Sequence, residues 1–259
     1  MLRLNFLKQK LESGRAVIGT WAVIPSPIVA DIIAASGIDF IIIDSEHGPI
    51  NFETAQQMVI ACESRGVSPV MRVGGVIEAE ILRALDIGTH CVQVPNVTTR
   101  SDVERLVKFF KYPPTGNRGF SPFTRAGNYS LENARTLTTT ANENVLTAIH
   151  IEGKDAIDNI DEILQTPYLD IVFLGLFDIS KSMGMPGDVD NPVVLRFLET
   201  LTGKINQAGK YPGTIVTNVG KMSQFLNMGI KYITYSVDCE MLSSNYKAIT
   251  SNFRSLIAQ

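Results

Sequence analysis

Short apolar runs rich in β-branched residues alternate with stretches of helical periodicity almost from end to end of this chain, and the alternation repeats eight times. A run such as Phe40-Ile41-Ile42-Ile43 has no polar face, which is what a strand covered on both sides requires. Strands that alternate with helices pair in parallel, since a parallel neighbour is reached only through a crossover. The predicted strands are Ala16–Ile24, Phe40–Asp44, Pro69–Val73, Cys91–Val94, Val145–Ile151, Ile171–Leu174, Gly213–Val216 and Tyr232–Val237. Helices are expected at Pro27–Ser36, Phe52–Ser64, Glu78–Leu85, Ser101–Phe110, Ala156–Gln165, Val193–Ala208 and Lys221–Met228, with a helical tail from Cys239 to Ala258. Eight such units make a (β/α)8 TIM barrel the leading fold, as one domain over residues 1–259. A doubly wound sheet is the alternative, and the chain has no GxGxxG turn after its first strand.

Local signals agree with these boundaries. Asn51 and Ser101 stand where side-chain oxygens can cap helices, and Gly37, Gly66, Gly88, Gly209 and Gly229 follow helical stretches. Tyr112 to Asn144 is longer than the other connections and carries its own helical stretch, Leu131–Ala141. Such a decorated loop is expected over the barrel mouth.

The charge balance of −3 shows no field that would gather nucleic acid or an anionic membrane. Three scattered cysteines form neither a disulfide framework nor a zinc pattern. The N-terminal residues do not read as a signal peptide, and no apolar segment is long enough to span a membrane. The expected setting is the cytoplasm and the expected ligands are small molecules.

Ligand sites in barrels of this type lie at the carboxyl ends of the strands. There the sequence places Asp44, Glu46 and His47 after the second strand, Arg72 in the third, Glu152 after the fifth and Asp178 after the sixth. Arg72 sits among apolar neighbours and needs an anionic partner, either a ligand or one of the carboxylates. Two carboxylates in one pocket repel unless a cation, a proton or an arginine lies between them; a hard divalent ion fits best, and magnesium or manganese suits such oxygen donors. Against this stand plainer readings: a solvated turn at Asp44–His47, and helix caps at Glu152 and Asp178. Lys154 and Lys181 lie just past strand ends and keep an imine mechanism open. His90, His150 and Trp21 read as packing residues.

The ordered set of Gly19-Thr20-Trp21, Asp44-Ser45-Glu46-His47-Gly48-Pro49, Met71-Arg72-Val73, Leu85-Asp86-Ile87-Gly88 and Val94-Pro95 resembles the HpcH/HpaI aldolase family. The resemblance continues through Tyr112-Pro113-Pro114-Thr115-Gly116-Asn117-Arg118-Gly119, Ile151-Glu152 and Gly175-Leu176-Phe177-Asp178-Ile179-Ser180. It implies a pyruvate-binding barrel and a metal-dependent aldolase that cleaves a 4-hydroxy-2-oxo acid to pyruvate and an aldehyde. By the same resemblance, Glu152 and Asp178 hold Mg²⁺, Mn²⁺ or Co²⁺, Arg72 polarises pyruvate, and His47 is the catalytic histidine oriented by Asp86. Gly175 and Phe177 belong to the segment that cups the pyruvate carboxylate, and Arg125 corresponds to an arginine that meets the far end of an acceptor in some relatives. The implied assembly is a homo-oligomer, trimer or hexamer, with the C-terminal helix packed on a neighbouring subunit.

Two departures lie beside the ligand. Leu176-Phe177 replaces the proline-containing pair common between the glycine and the metal aspartate, and His150 stands where many relatives carry glutamine. Other lyases or hydrolases acting through a pyruvate enolate, and a non-catalytic binding barrel, remain as alternative readings.

Overall fold

The computed structural model describes residues 4–132 and 134–258. Residues 1–3 and 259, at the ends of the expected domain, lie outside the described residues, as does Asn133 within the expected Leu131–Ala141 helix. Eight parallel strands close into a barrel: β1 (Val17–Ala22), β2 (Phe40–Asp44), β3 (Ser68–Arg72), β4 (Cys91–Val94), β5 (Leu146–Ile151), β6 (Ile171–Leu174), β7 (Tyr211–Val216) and β8 (Tyr232–Val237), with β8 pairing back onto β1. Helices alternate with the strands, so the chain is a (β/α)8 TIM barrel.

The boundaries shift where side chains capture backbone groups. β1 ends at Ala22 because the Val23 and Ile24 amides turn away to donate to the Asp238 carboxylate, each at 3.1 Å. The helix after β4 begins earlier than expected, since Thr99 and not Ser101 is its cap. Thr99 Oγ1 accepts from the Asp102 amide at 3.2 Å while Asp102 Oδ2 accepts from the Thr99 amide at 3.0 Å, a reciprocal capping box. Asn51 caps its helix as expected, accepting from the Thr54 amide at 2.8 Å. An unexpected helix, Phe6–Glu12, closes the foot of the barrel. It buries Leu7 and Leu11, and the Leu7 amide donates to Ser68 Oγ at 2.9 Å.

Period-two alternation divides the core. Ile41, Ile43, Met71, Val92 and Ile149 face outward against the helices, while Phe40, Ile42, Val70, Cys91 and Ala148 fill the barrel with Leu7 and Leu11. The Phe40 and Tyr232 rings stack at 4.2 Å and 17° across the lower interior. Gly19 makes room for them: a Cβ there would stand 2.3 Å from the Phe40 ring. At Gly213 a Cβ would stand 2.7 Å from Tyr232.

The long connection after the helix Arg100–Phe110 does not cover the mouth. Its Ala126 amide donates to the Asp86 carbonyl at 3.0 Å, Arg118 donates to the Asp86 carboxylate at 2.8 Å, and Arg125 donates to the Ile87 carbonyl at 3.1 Å. Asp86 is the last residue of the helix Glu78–Asp86, which runs opposite to the strands, so this loop packs at the foot of the barrel.

Candidate active site

The pleat that turns Phe40 and Ile42 inward turns Asp44 inward as well, and the register sets Asp44 directly beside Arg72 on β3. Arg72 Nε donates to Asp44 Oδ1 at 2.9 Å and Nη2 to Oδ2 at 2.5 Å. Asp44 is 1% exposed, so this paired fork is what makes its burial tolerable. Asp44 Oδ1 also accepts from the amides of Glu46 and His47 at 3.1 and 3.3 Å, fixing the turn that leaves the strand. Gly48 is required in that turn, since a Cβ would lie 2.3 Å from the Asp44 carbonyl oxygen.

Glu46 Oε2 lies 3.0 Å from Arg72 Nη1, an ion pair without hydrogen-bond alignment. Burial pushes the Glu46 carboxyl up, the Glu152 and Asp44 charges add to the rise, and Arg72 and His47 oppose it. The Arg72 guanidinium also lies over the Trp21 ring, 4.3 Å from its centroid, and Trp21 Nε1 is anchored on Thr234 Oγ1 at 3.0 Å.

A directed hydrogen-bond chain runs across the interior beneath these residues. The Tyr232 hydroxyl donates to Gln93 Oε1 at 3.2 Å, the Gln93 amide donates to His150 Nε2, and His150 Nδ1 donates to Glu152 Oε1. Gln93 offers a donor to Nε2 only while that nitrogen carries no proton, so the chain selects one neutral tautomer of His150. Burial lowers the His150 pKa further, with Glu152 opposing. Glu152 is held the other way: burial raises it, but the hydrogen bonds from His150 and the Asn96 amide, with the nearby charge of Arg72, keep the carboxyl below its usual range. Asn96 adopts a left-handed backbone, φ 56°, just past β4.

Glu152, Asp178, Arg72, His47, Asp44 and His150 all line one open cavity of about 300 Å³ at the carboxyl end of the barrel, with Trp21, Phe173, Gly175 and Phe177. Asp178 lies in the first turn of a short helix, Leu176–Ser182, rather than at its cap, which is Gly175. Gly175 keeps space beside Glu152, whose Cγ would lie 3.2 Å from a Cβ at that position. His47 is open to solvent, 73% exposed in its side chain and 4.0 Å from Glu46. Lys154 and Lys181 do not line the cavity.

Asp86 and Arg125 are not among its lining residues either. Asp86 is paired with Arg118 at the foot, where burial raises its carboxyl against the opposing effect of that arginine. Arg125 is 6% exposed and binds Glu63, whose other oxygen lies 3.2 Å from His90 Nε2. His90 is thus a structural residue, as its sequence context suggests. Gln93 and Asn96 are the residues that sequence reasoning missed. Gln93 stands two residues after Cys91, on the inward face, and that alternation was its available signal.

Glu152 and Asp178 line the cavity as two carboxylates that could hold a divalent cation. Both are oxygen donors, and among the described residues Asp178 has neither a hydrogen bond nor an ion pair. No group of three or more acidic, histidine or cysteine side chains is arranged for a metal among the described residues. This donor set suits magnesium-type ions, which keep water and substrate oxygens in their remaining positions.

Residues 17–244 match the model of the HpcH/HpaI aldolase/citrate lyase family. The 4-hydroxy-2-oxo-heptane-1,7-dioate aldolase of Shigella flexneri is 30% identical over 250 residues, covering 96% of this chain and 93% of that protein. The crystal structure of an HpcH/HpaI aldolase from Desulfitobacterium hafniense superposes with a TM-score of 0.91 at 27% identity, covering 96% of each chain. That of the citrate synthase SbnG superposes with a TM-score of 0.88 at 29% identity, covering 98% of this chain and 100% of the other. The chain belongs to the HpcH/HpaI aldolase/citrate lyase family of enzymes.

Proposed function

We propose that the protein is a divalent-metal-dependent aldolase that cleaves a 4-hydroxy-2-oxo acid to pyruvate and an aldehyde, reversibly. One observation carries this reading: Glu152, Asp178, Arg72 and His47, from four different strand ends, line a single cavity. Glu152 and Asp178 would hold the divalent cation, which would supply Lewis acidity to the bound 2-oxo acid. Arg72, fixed by Asp44 and Glu46, donates toward the 2-oxo oxygen as negative charge gathers there. In cleavage His47 takes the 4-hydroxyl proton as the C3–C4 bond breaks, and in condensation it returns that proton to the new alcohol. His150 orients Glu152 through Nδ1.

His47 and Asp86 occupy opposite ends of the barrel, so the pairing expected from sequence requires a second copy of the chain. Assembly is supported independently by the helix Asp238–Ile257, in which only Asp238 is buried. Its Leu242, Tyr246, Ile249, Phe253 and Leu256 form an exposed stripe with alternating four- and three-residue spacing, the pattern of a helix that packs against another. A homo-oligomer in which this face is covered, trimer or hexamer, is part of the proposal. So is a cytoplasmic setting, supported by three cysteines that form no disulfide. No helix among the described residues is long and apolar enough to cross a membrane.

The test is pyruvate release from 4-hydroxy-2-oxoheptane-1,7-dioate and 4-hydroxy-2-oxohexanoate, coupled to NADH oxidation by lactate dehydrogenase. Release that stops with EDTA and returns with Mn²⁺ or Mg²⁺ is expected. No release from either substrate, with citrate formed from oxaloacetate and acetyl-CoA instead, would replace this reading with that of a citrate synthase.

A further inference from the structure

We propose that Gln93 and Tyr232 are positioning residues that set how tightly the mouth holds its cation, and that they act through the ring of His150; this rests on the reading of Glu152 as a cation ligand. Neither residue lines the cavity. Gln93 and Tyr232 are fully buried and His150 is 3% exposed. They stand on β4, β8 and β5 of one barrel, so the chain they form is complete within a single copy, whatever covers the mouth in an assembly.

Apolar packing alone leaves His150 undetermined. Its ring stacks on Phe173 at 4.8 Å and 25° and meets Trp21 edge-on at 5.8 Å and 85°. Those contacts fix the plane of the ring. A half-turn about Cβ–Cγ keeps the same plane and shape but exchanges nitrogen for carbon at the positions that face Glu152 and Gln93. With the ring reversed, Glu152 loses the donor at its Oε1. Gln93 decides between the two arrangements, because its amide meets Nε2 in one and only a C–H in the other. The Tyr232 hydroxyl in turn donates to Gln93 Oε1 at 3.2 Å and leaves the amide nitrogen to the ring.

A glutamate side chain that is free to rotate gives up that freedom when it closes on a cation, and one that is already held does not. Glu152 is held at Oε1 by His150, and the Asn96 amide also donates to its carboxylate. An amide at 0% exposure in a barrel interior is tolerable only when both of its ends are bonded. Here both are bonded along one line, and that line ends at Glu152.

The test is a titration of the full chain with Mn²⁺, read from the EPR signal of the free ion, which needs no turnover. Gln93→Met keeps the bulk of the side chain and removes the amide, and should weaken Mn²⁺ binding by about 10- to 100-fold. Tyr232→Phe should weaken it by a smaller factor. In a His150→Phe background, where no ring nitrogen remains to be directed, Gln93→Met should change the affinity by less than about twofold. If Gln93→Met fails to fold, Tyr232→Phe takes its place in both backgrounds. Unchanged affinity in Gln93→Met or Tyr232→Phe, or the same loss with and without His150, overturns the positioning role and leaves the cation site standing. Wild-type protein that binds no Mn²⁺, or binds it as well after Glu152→Ala, overturns the reading of Glu152 and the positioning role together.

Discussion

The lower and upper halves of the barrel interior are built from the same strands and differ by one step of the pleat. Below, Ile42, Val70, Cys91 and Ala148 pack with Leu7, Leu11 and the stacked rings of Phe40 and Tyr232. Two residues further along the same strands stand Asp44, Arg72, Gln93 and His150, every one of them buried. The lower half is dry, closed by a helix and held by dispersion and apolar burial. In the upper half Asp44 and Arg72 keep their charge at low exposure because each is the other's partner in a geometry the strands impose. A fold of this kind separates the work: stability is concentrated where side chains are interchangeable by volume, and chemistry where they are not.

The sharpest break of that division is Arg72, which belongs to both halves of the argument. Arg72→Ala strands Asp44 as an unpaired buried charge and should cost about 3–5 kcal/mol in denaturant unfolding, together with a loss of about 10² to 10³ in turnover. Asp44→Leu combined with Arg72→Met should restore most of the stability while leaving turnover as low as in the single variant. Recovery of activity in the pair would place the arginine outside the chemistry.

Next in size, Leu7→Ala opens space beneath the Phe40–Tyr232 layer and should cost about 2–5 kcal/mol of stability. Its kcat/KM per folded molecule should remain that of the wild type. A tenfold fall would mean that the halves are mechanically coupled.

The smallest effect lies outside the barrel, at the capping box. Thr99→Ala should cost about 1 kcal/mol. Burial raises the Asp102 carboxyl, but the hydrogen bonds from Thr99 and Thr98 outweigh this and hold it below its ordinary 3.8. A carboxylate lowered on folding contributes stability above its unfolded pKa and loses it as pH falls through the folded value. The difference in melting temperature between wild type and Thr99→Ala should therefore be full at neutral pH and shrink below about pH 3.9.

The sequence makes the barrel legible because its strands are short apolar runs whose ends are marked by turns and caps. It also marks the mouth, since Asp44, His47, Arg72, Glu152 and Asp178 each sit just at or past such a run. What it hides is relative position across strands. The link from Gln93 through His150 to Glu152 depends on the stagger of β4 against β5, which no local pattern encodes. The helix Phe6–Glu12 escaped because two leucines four residues apart are too little periodicity to stand out. The long loop was expected at the mouth although it follows a helix, and a helix returns the chain to the foot of a barrel. Read in that order, the distance of Asp86 and Arg125 from the cavity was already implicit.

The most direct measurement is exchange of the pyruvate methyl protons into deuterated water, followed by proton NMR for the wild type and for Glu152→Ala, with and without Mn²⁺. Exchange that needs the metal and vanishes in Glu152→Ala is the expected result, because removal of a C3 proton requires charge to be held at the mouth. Exchange that persists in Glu152→Ala, or fails in the wild type with every divalent metal tried, would contradict the assignment of that cavity to pyruvate chemistry.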